Sequence, residues 1–181
     1  MRRPLVFALV LAVAAVGALA APHATSEGQA SSGRALNASA SLERSVLGEV
    51  NALRRAHGLV PLRLSARLSA AAGVHSRSMA TRGFFGHNSA DGSPFWQRVK
   101  RHYGSAGYPF WAVGENLVWA SPQLSAKKAL RMWLGSPSHR RNLLEPKWRE
   151  LGLSAVRVEH APGVYDGLDV TIVTANFGVR R

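Results

Sequence analysis

Chemistry in this chain cannot come from thiols, because its 181 residues include no cysteine. Thiol nucleophiles, thiolate metal ligands and disulfides are removed together. No Gly-x-Ser-x-Gly elbow occurs, so hydrolase-type serine catalysis has no signature here. His87, Glu115 and His139 are of useful types: neutral imidazoles suit zinc, and a carboxylate can orient water or act as a base. Their separations of 28 and 24 residues carry no local metal signature, unlike two histidines one helical turn apart. Spacing alone leaves them ordinary polar residues. Glu115, with Asn116, would then cap a backbone turn. His139, in the first turn after Pro137, would satisfy a loop carbonyl, although a helix N-terminus also disfavours its cation and so suits neutral ligation. His75 falls on an apolar stripe and reads as a packed, hydrogen-bonded core histidine. Arg140 and Asn142 read as ties between loops.

Positioning such groups needs rigid elements. Leu42, Val46, Val50 and Leu53 recur at helical steps, which predicts a first helix from about Ser41, ended by Gly58 and blocked by Pro61. Ser65 caps a second, with Leu68, Ala72, His75 and Met79 on its inner stripe and Gly83 at its end. After the turn at Asp91-Gly92, Ser93-Pro94 opens a short helix carrying Phe95, Trp96 and Val99, which Gly104 and Gly107 break. Gly114-Glu115-Asn116-Leu117 follows a loop and leads into Val118 and Trp119. Ser121-Pro122 opens a further helix with Ala126, Leu130, Trp133 and Leu134 buried, and Ser136-Pro137 opens another, running from Ser138 to about Leu144. Two strands close the chain, Leu151 to Val158 and Leu168 to Phe177. The last is apolar on both faces, which requires helical cover on both. The five tryptophans are core anchors for the most part; Trp111 is a candidate for the mouth of a cleft.

Residues 1–21 are set apart. Arg2 and Arg3 precede an uncharged apolar run from Leu5 to Ala21, and Ala18-Leu19-Ala20 supplies a small-x-small pattern. This predicts a cleaved signal peptide and a secreted protein. The run is short for a bilayer span, which needs about 20 residues. Residues 22–40, rich in Ala, Ser and Gly, read as a flexible linker, and the domain occupies 41–181. The charge is +13, from 23 Lys and Arg against 10 Asp and Glu. Losing Arg2 and Arg3 leaves 21 against 10, or +11. That balance favours retention at an anionic envelope. The cations are dispersed and match no nucleic-acid module, so specific nucleic-acid binding is not expected.

Three motifs in order carry a resemblance: Phe85-Gly86-His87; Gly114-Glu115-Asn116-Leu117; and Trp133-Leu134-Gly135-Ser136-Pro137-Ser138-His139-Arg140-Arg141-Asn142-Leu143-Leu144. With the leading helix pair and the closing Asn176-Phe177-Gly178, they resemble the bacterial form of the CAP domain of cysteine-rich secretory, antigen 5 and pathogenesis-related proteins, over roughly residues 43 to 178. The resemblance implies an α+β fold, a three-layer α-β-α sandwich around a small antiparallel sheet. It also implies a cleft built on two histidines and two acids, matched here by His87, Glu115 and His139. Ser136 stands where relatives carry a second glutamate. In some members the two histidines bind a divalent ion such as zinc; with His87 and His139 as its only protein ligands, the ion would be weakly held and exchangeable. The family is associated with binding lipids and other amphiphiles and with extracellular recognition, and a lipid or other anionic envelope component is the expected partner. The competing expectation is a metal-assisted hydrolase with Glu115 activating water.

Overall fold

The structure, a computed structural model, describes residues 36–181. The expected signal peptide at 1–21 and the expected linker up to residue 35 lie outside the described residues. The end of that linker is not loop: Leu36–Ala38 forms an edge strand, β1. It runs straight into α1 (Ala40–Ala56), where the Ser39 hydroxyl accepts the Leu42 amide at 3.4 Å. The two-residue strand β2 (Arg63–Leu64) and α2 (Ala66–Arg82) follow. Then come α3 (Phe95–His102), β3 (Trp111–Ala120), α4 (Ala126–Leu134), α5 (Pro137–Leu143), β4 (Glu150–Val158) and β5 (Val170–Arg180).

The sheet order is β1-β4-β5-β3, antiparallel throughout, with β2 added parallel to the start of β4. Strand alternation divides its side chains between two cores. Leu153, Ala155, Val173, Ala175, Phe177 and Val118 face one way and pack with Val46 and Val50 of α1 and Ala129 and Trp133 of α4. Val156, Val158, Val170, Ile172 and Leu117 face the other way and pack with Met79 and Ala80 of α2. A smaller cluster beside it joins Leu68 and Ala71 of α2 to Val99 of α3 and Tyr103. The adjacent residues Ile172 and Val173 are both fully buried, on opposite faces. The three-layer sandwich expected from the doubly apolar last strand is therefore present, with α1, α4 and α5 on one side and α2 and α3 on the other.

Close approach fixes α2. A Cβ at Gly152 would collide with the backbone of Leu68 and Ser69, so only glycine lets that helix lie so near β4. Where β4 has no strand partner between β2 and β1, side chains occupy its edge: the Leu153 amide donates to Ser69 Oγ at 3.0 Å and the Ala155 amide to Glu43 Oε1 at 2.9 Å. These contacts satisfy donors that an open edge would offer to another chain.

Some expectations for the middle of the chain differ from the structure. Gly114-Glu115-Asn116-Leu117 is no turn but the centre of the ten-residue strand β3. Buried Glu and Asn inside a strand read as turn residues when their partners are distant in sequence. Ser125, not Ser121, caps α4, its hydroxyl accepting the Lys128 amide at 3.2 Å. Pro94 itself is the N-cap of α3. Trp96, expected on the buried face, points to solvent at 43% exposure, and Arg98 is buried there instead. Trp111 packs against the α3 cluster and donates its indole N–H to the Tyr103 carbonyl at 2.7 Å, an anchor there and not a cleft residue.

Candidate functional site

The cleft lies along the free edge of β3, where the two helical layers meet. Consecutive β3 residues point to opposite faces, and each secures one wall. Glu115 faces the α2 and α3 side. Its Oε1 accepts from His87 Nδ1 at 3.0 Å, and its Oε2 accepts from Arg98 Nη2 at 2.5 Å. Asn116 faces the other layer. Its Nδ2 donates to the His139 carbonyl at 3.1 Å and its Oδ1 accepts from Asn142 Nδ2 at 3.0 Å. Gly114 completes the set, since a Cβ there would press on Asn142 Oδ1 at 2.5 Å and on the Trp148 ring at 2.9 Å. Each residue of the Gly-Glu-Asn run thus has a steric or bonding reason.

His87 is placed by the end of α2. Gly83 adopts φ of 68° and closes the helix with its amide on the Met79 carbonyl, a left-handed cap that favours glycine. The exit loop is then held three times. Val164 donates its amide to the Gly83 carbonyl at 3.0 Å, the Tyr165 hydroxyl donates to the Phe84 carbonyl at 2.9 Å, and His75 Nε2 donates to the Gly86 carbonyl at 2.8 Å. His75 is 1% exposed and belongs to the core, as its stripe position implies. Burial lowers its pKa below the ordinary histidine value.

Arg98 is the residue the motifs do not reveal. It donates to Ser89 Oγ at 2.9 Å and to the His87 carbonyl at 3.3 Å, as well as to Glu115. One buried guanidinium therefore ties α3, the histidine loop and β3 together. The signal available is its helical phase, three residues after Phe95 and beside Val99 on the inward face of α3. Asn176 lies opposite Glu115 in the β3–β5 register. With its amide oriented to satisfy both neighbours, its nitrogen donates to Glu115 Oε2 at 3.0 Å and its oxygen accepts from the Ala72 amide at 3.1 Å. The Glu115 side chain, 1% exposed, is held on both oxygens, as a buried carboxylate must be.

His87 is different, with its side chain 48% exposed. With Nδ1 committed to Glu115, Nε2 is the ring nitrogen left for the cleft. His139, on α5, faces it with ring centroids 6.4 Å apart. Burial first, and then the nearby His87, lower the pKa of His139. Its ring is thereby kept neutral near neutral pH. Ser136, the N-cap of α5, turns its hydroxyl to Ser138 Oγ at 3.1 Å. The expected residues are thus brought together: His87, Glu115 and His139 at the cleft, with Ser136 beside His139 in the groove described next. Asn142 ties α5 to β3 and, through its carbonyl, accepts the Trp148 indole N–H at 3.1 Å.

For a metal the donor set is short. A resident zinc ion takes three or four protein ligands; here two imidazole nitrogens are offered, and both Glu115 oxygens are engaged by other residues. Among the described residues no three His, Cys, Asp or Glu stand together as a metal-holding group. The residues present do not fit a resident metal.

Next to the histidines runs an apolar groove of about 420 Å³. Leu117 and Trp119 of β3 form its floor, Met132 and Trp133 of α4 one wall, and Phe85 the facing rim, with Ser136 and His139 at its polar end. Met132 and Phe85 are 44% and 38% exposed, so the mouth itself is apolar.

Comparison with known proteins supports the fold. The family described as "CAP: Cysteine-rich secretory protein family" matches residues 47–177. The Bacillus subtilis protein YkwD, described as uncharacterized, is 33% identical over 115 residues, 63% of this chain and 42% of its own length; the chain thus spans less than half of that relative. An extracellular protein containing an SCP domain from Bacillus anthracis superposes with a TM-score of 0.59 at 28% identity, over 78% of this chain and 41% of the other. An outer surface protein from Borrelia burgdorferi shares the fold, with a TM-score of 0.64 at 20% identity over 82% of this chain and 99% of the other. With the family matched across most of its length and the same fold in both structures, the chain belongs to the CAP family of cysteine-rich secretory proteins.

Proposed function

We propose that this chain is an exported CAP module that binds the apolar part of an amphiphile in the groove beside the histidine pair. The observation that carries this reading is the groove itself. Its volume falls within the range of small-molecule sites, about 300–1,000 Å³, and it joins apolar walls to a few polar groups at one end. An acyl chain or comparable hydrocarbon would lie along Leu117, Trp119 and Met132, with its polar head towards Ser136 and His139. Export is supported by the leader pattern at Arg2 to Ala21 and by the extracellular and outer-surface descriptions of the two structural relatives. The net charge of +13 supports an anionic ligand or surroundings.

What favours binding over hydrolysis is the state of Glu115. A general base needs a free oxygen within reach of water, whereas this carboxylate accepts from His87 and Arg98. Its role here is to orient His87 and to anchor Arg98. The test is displacement of the fluorescent fatty acid cis-parinaric acid. Wild type should bind it saturably, and Met132→Asp, which places a charge on an exposed wall residue, should weaken binding about tenfold or more by leaving a carboxylate against the chain. Equal binding by both proteins would remove the groove from consideration.

A further inference from the structure

A second surface stands out, formed by α3, the loop after it and the end of β5. Tyr108 and Phe110 are 41% and 39% exposed. The Arg180 guanidinium lies 4.1 Å from the Tyr103 ring centre and 4.8 Å from that of Tyr108, and Arg181 lies 5.0 Å from that of Phe110. Phe110 and Arg181 exchange backbone hydrogen bonds at 2.9 and 3.1 Å, which fixes aromatic and cation side by side. Lys100 and Arg101 stand exposed in the last turn of α3, with His102 between them and Tyr103. No Asp or Glu occurs from residue 92 to residue 114. Two carboxylates lie nearby and both are engaged: Glu150 accepts from the Tyr103 hydroxyl, and Asp91, close enough to Arg101 to feel its charge, accepts from the Ser93 amide and hydroxyl.

Four cations outnumber these two engaged acids and repel one another, and exposed rings gain nothing from water. Arg180 spends one N–H on the Gly104 carbonyl at 3.4 Å, and a guanidinium stacked on a ring still presents its remaining N–H groups to phosphate oxygens. Tyr and Phe beside Lys and Arg are the composition that settles at the headgroup level of a bilayer. A soluble polyanion would use the cations and have no need of the rings. No helix among the described residues is long and apolar enough to cross a membrane. We propose that the rim of Tyr108, Phe110, Arg180 and Arg181, flanked by Lys100 and Arg101, seats the protein on an anionic phospholipid surface. This surface is separate from the groove and does not depend on what the groove holds.

The test uses the protein as secreted by an exporting host. It is floated with vesicles of phosphatidylcholine alone, or of seven parts phosphatidylcholine to three of phosphatidylglycerol. Wild type should float with the anionic vesicles and not the neutral ones, and less as salt is raised. Lys100→Glu/Arg101→Glu, both exposed and free to change without disturbing the core, should reduce partitioning at least about 25-fold, from about fivefold for each cation removed. Tyr108→Ser/Phe110→Ser, checked for native circular dichroism, should reduce it about tenfold. Three results would overturn the proposal: no preference of wild type for anionic vesicles; an unchanged charge-reversal variant; or loss on charge reversal with none in the aromatic variant. Tighter binding to a soluble acidic polysaccharide than to the vesicles would assign the surface to a polyanion instead.

Discussion

Arg98→Met would test the construction of the site most sharply. The substitution keeps length and apolar stem but removes the guanidinium that meets Glu115 Oε2 at 2.5 Å, Ser89 Oγ at 2.9 Å and the His87 carbonyl at 3.3 Å. The pair is out of water, with side chains 4% and 1% exposed. Breaking such a pair from one side strands the other charge and costs about 3–5 kcal/mol. For a domain of this size each kcal/mol shifts Tm by about 2–4 °C, so Tm should fall by roughly 6–20 °C. The loss measures the stranding of Glu115 more than any net gain from the pair. Arg98→Met/Glu115→Gln, which removes both charges, should therefore be more stable than the two single losses added together, by about 0.5–3 kcal/mol. Urea unfolding followed by tryptophan fluorescence gives all four corners of the cycle. A loss within about 0.5 kcal/mol for Arg98→Met, the usual value for a surface position, would refute the reasoning, as would strict additivity in the cycle.

Ile172, fully buried under α2, should cost about 2–5 kcal/mol on truncation to alanine, read by the same unfolding assay. His75 sets an acid limit: its folded pKa lies below the ordinary value of about 6.5, so the unfolded chain takes the proton more readily. Stability should then be full above about pH 6.5 and fall as pH drops from there towards the lowered value; His75→Gln, which can still donate to Gly86, should flatten this limb, and an unchanged profile would remove His75 as its cause. Zinc should bind weakly at pH 7.5, more weakly at pH 5.5 because protons compete for the imidazoles, and not measurably to His87→Ala/His139→Ala. Ser136→Glu should tighten it by adding negative charge to the cleft. Calorimetric titration decides, and equal binding by wild type and the double-histidine variant would show that the histidines hold no metal.

Much of this architecture is legible where a signal is local. Ser65 and Gly83 bracket α2 and Ser136-Pro137 opens α5; Gly83 closes its helix through its amide on the Met79 carbonyl, whereas neither serine hydroxyl bonds a helix amide, so the serines mark the starts by position alone. The doubly apolar run in β5 dictates a covered sheet whatever the order of its strands. β3 is not legible in the same way, since Glu115 and Asn116 are polar residues inside a buried strand. Their justification is contact with His87, Arg98 and Asn142, which lie 17 to 28 positions away. The cleft histidines and Glu115 come through the family resemblance, not from spacing. Arg98 escapes notice because it is one of 23 basic residues, and only the phase of an eight-residue helix turns it inward.

Occupancy of the groove can be seen directly. A hexadecanoic acid brominated near its methyl end, diffused into crystals of the protein, marks its position by anomalous scattering. A bromine peak is expected between Leu117, Trp119 and Met132, with the carboxylate towards His139. Bromine sites elsewhere on the protein, or an empty groove at saturating fatty acid, would contradict it.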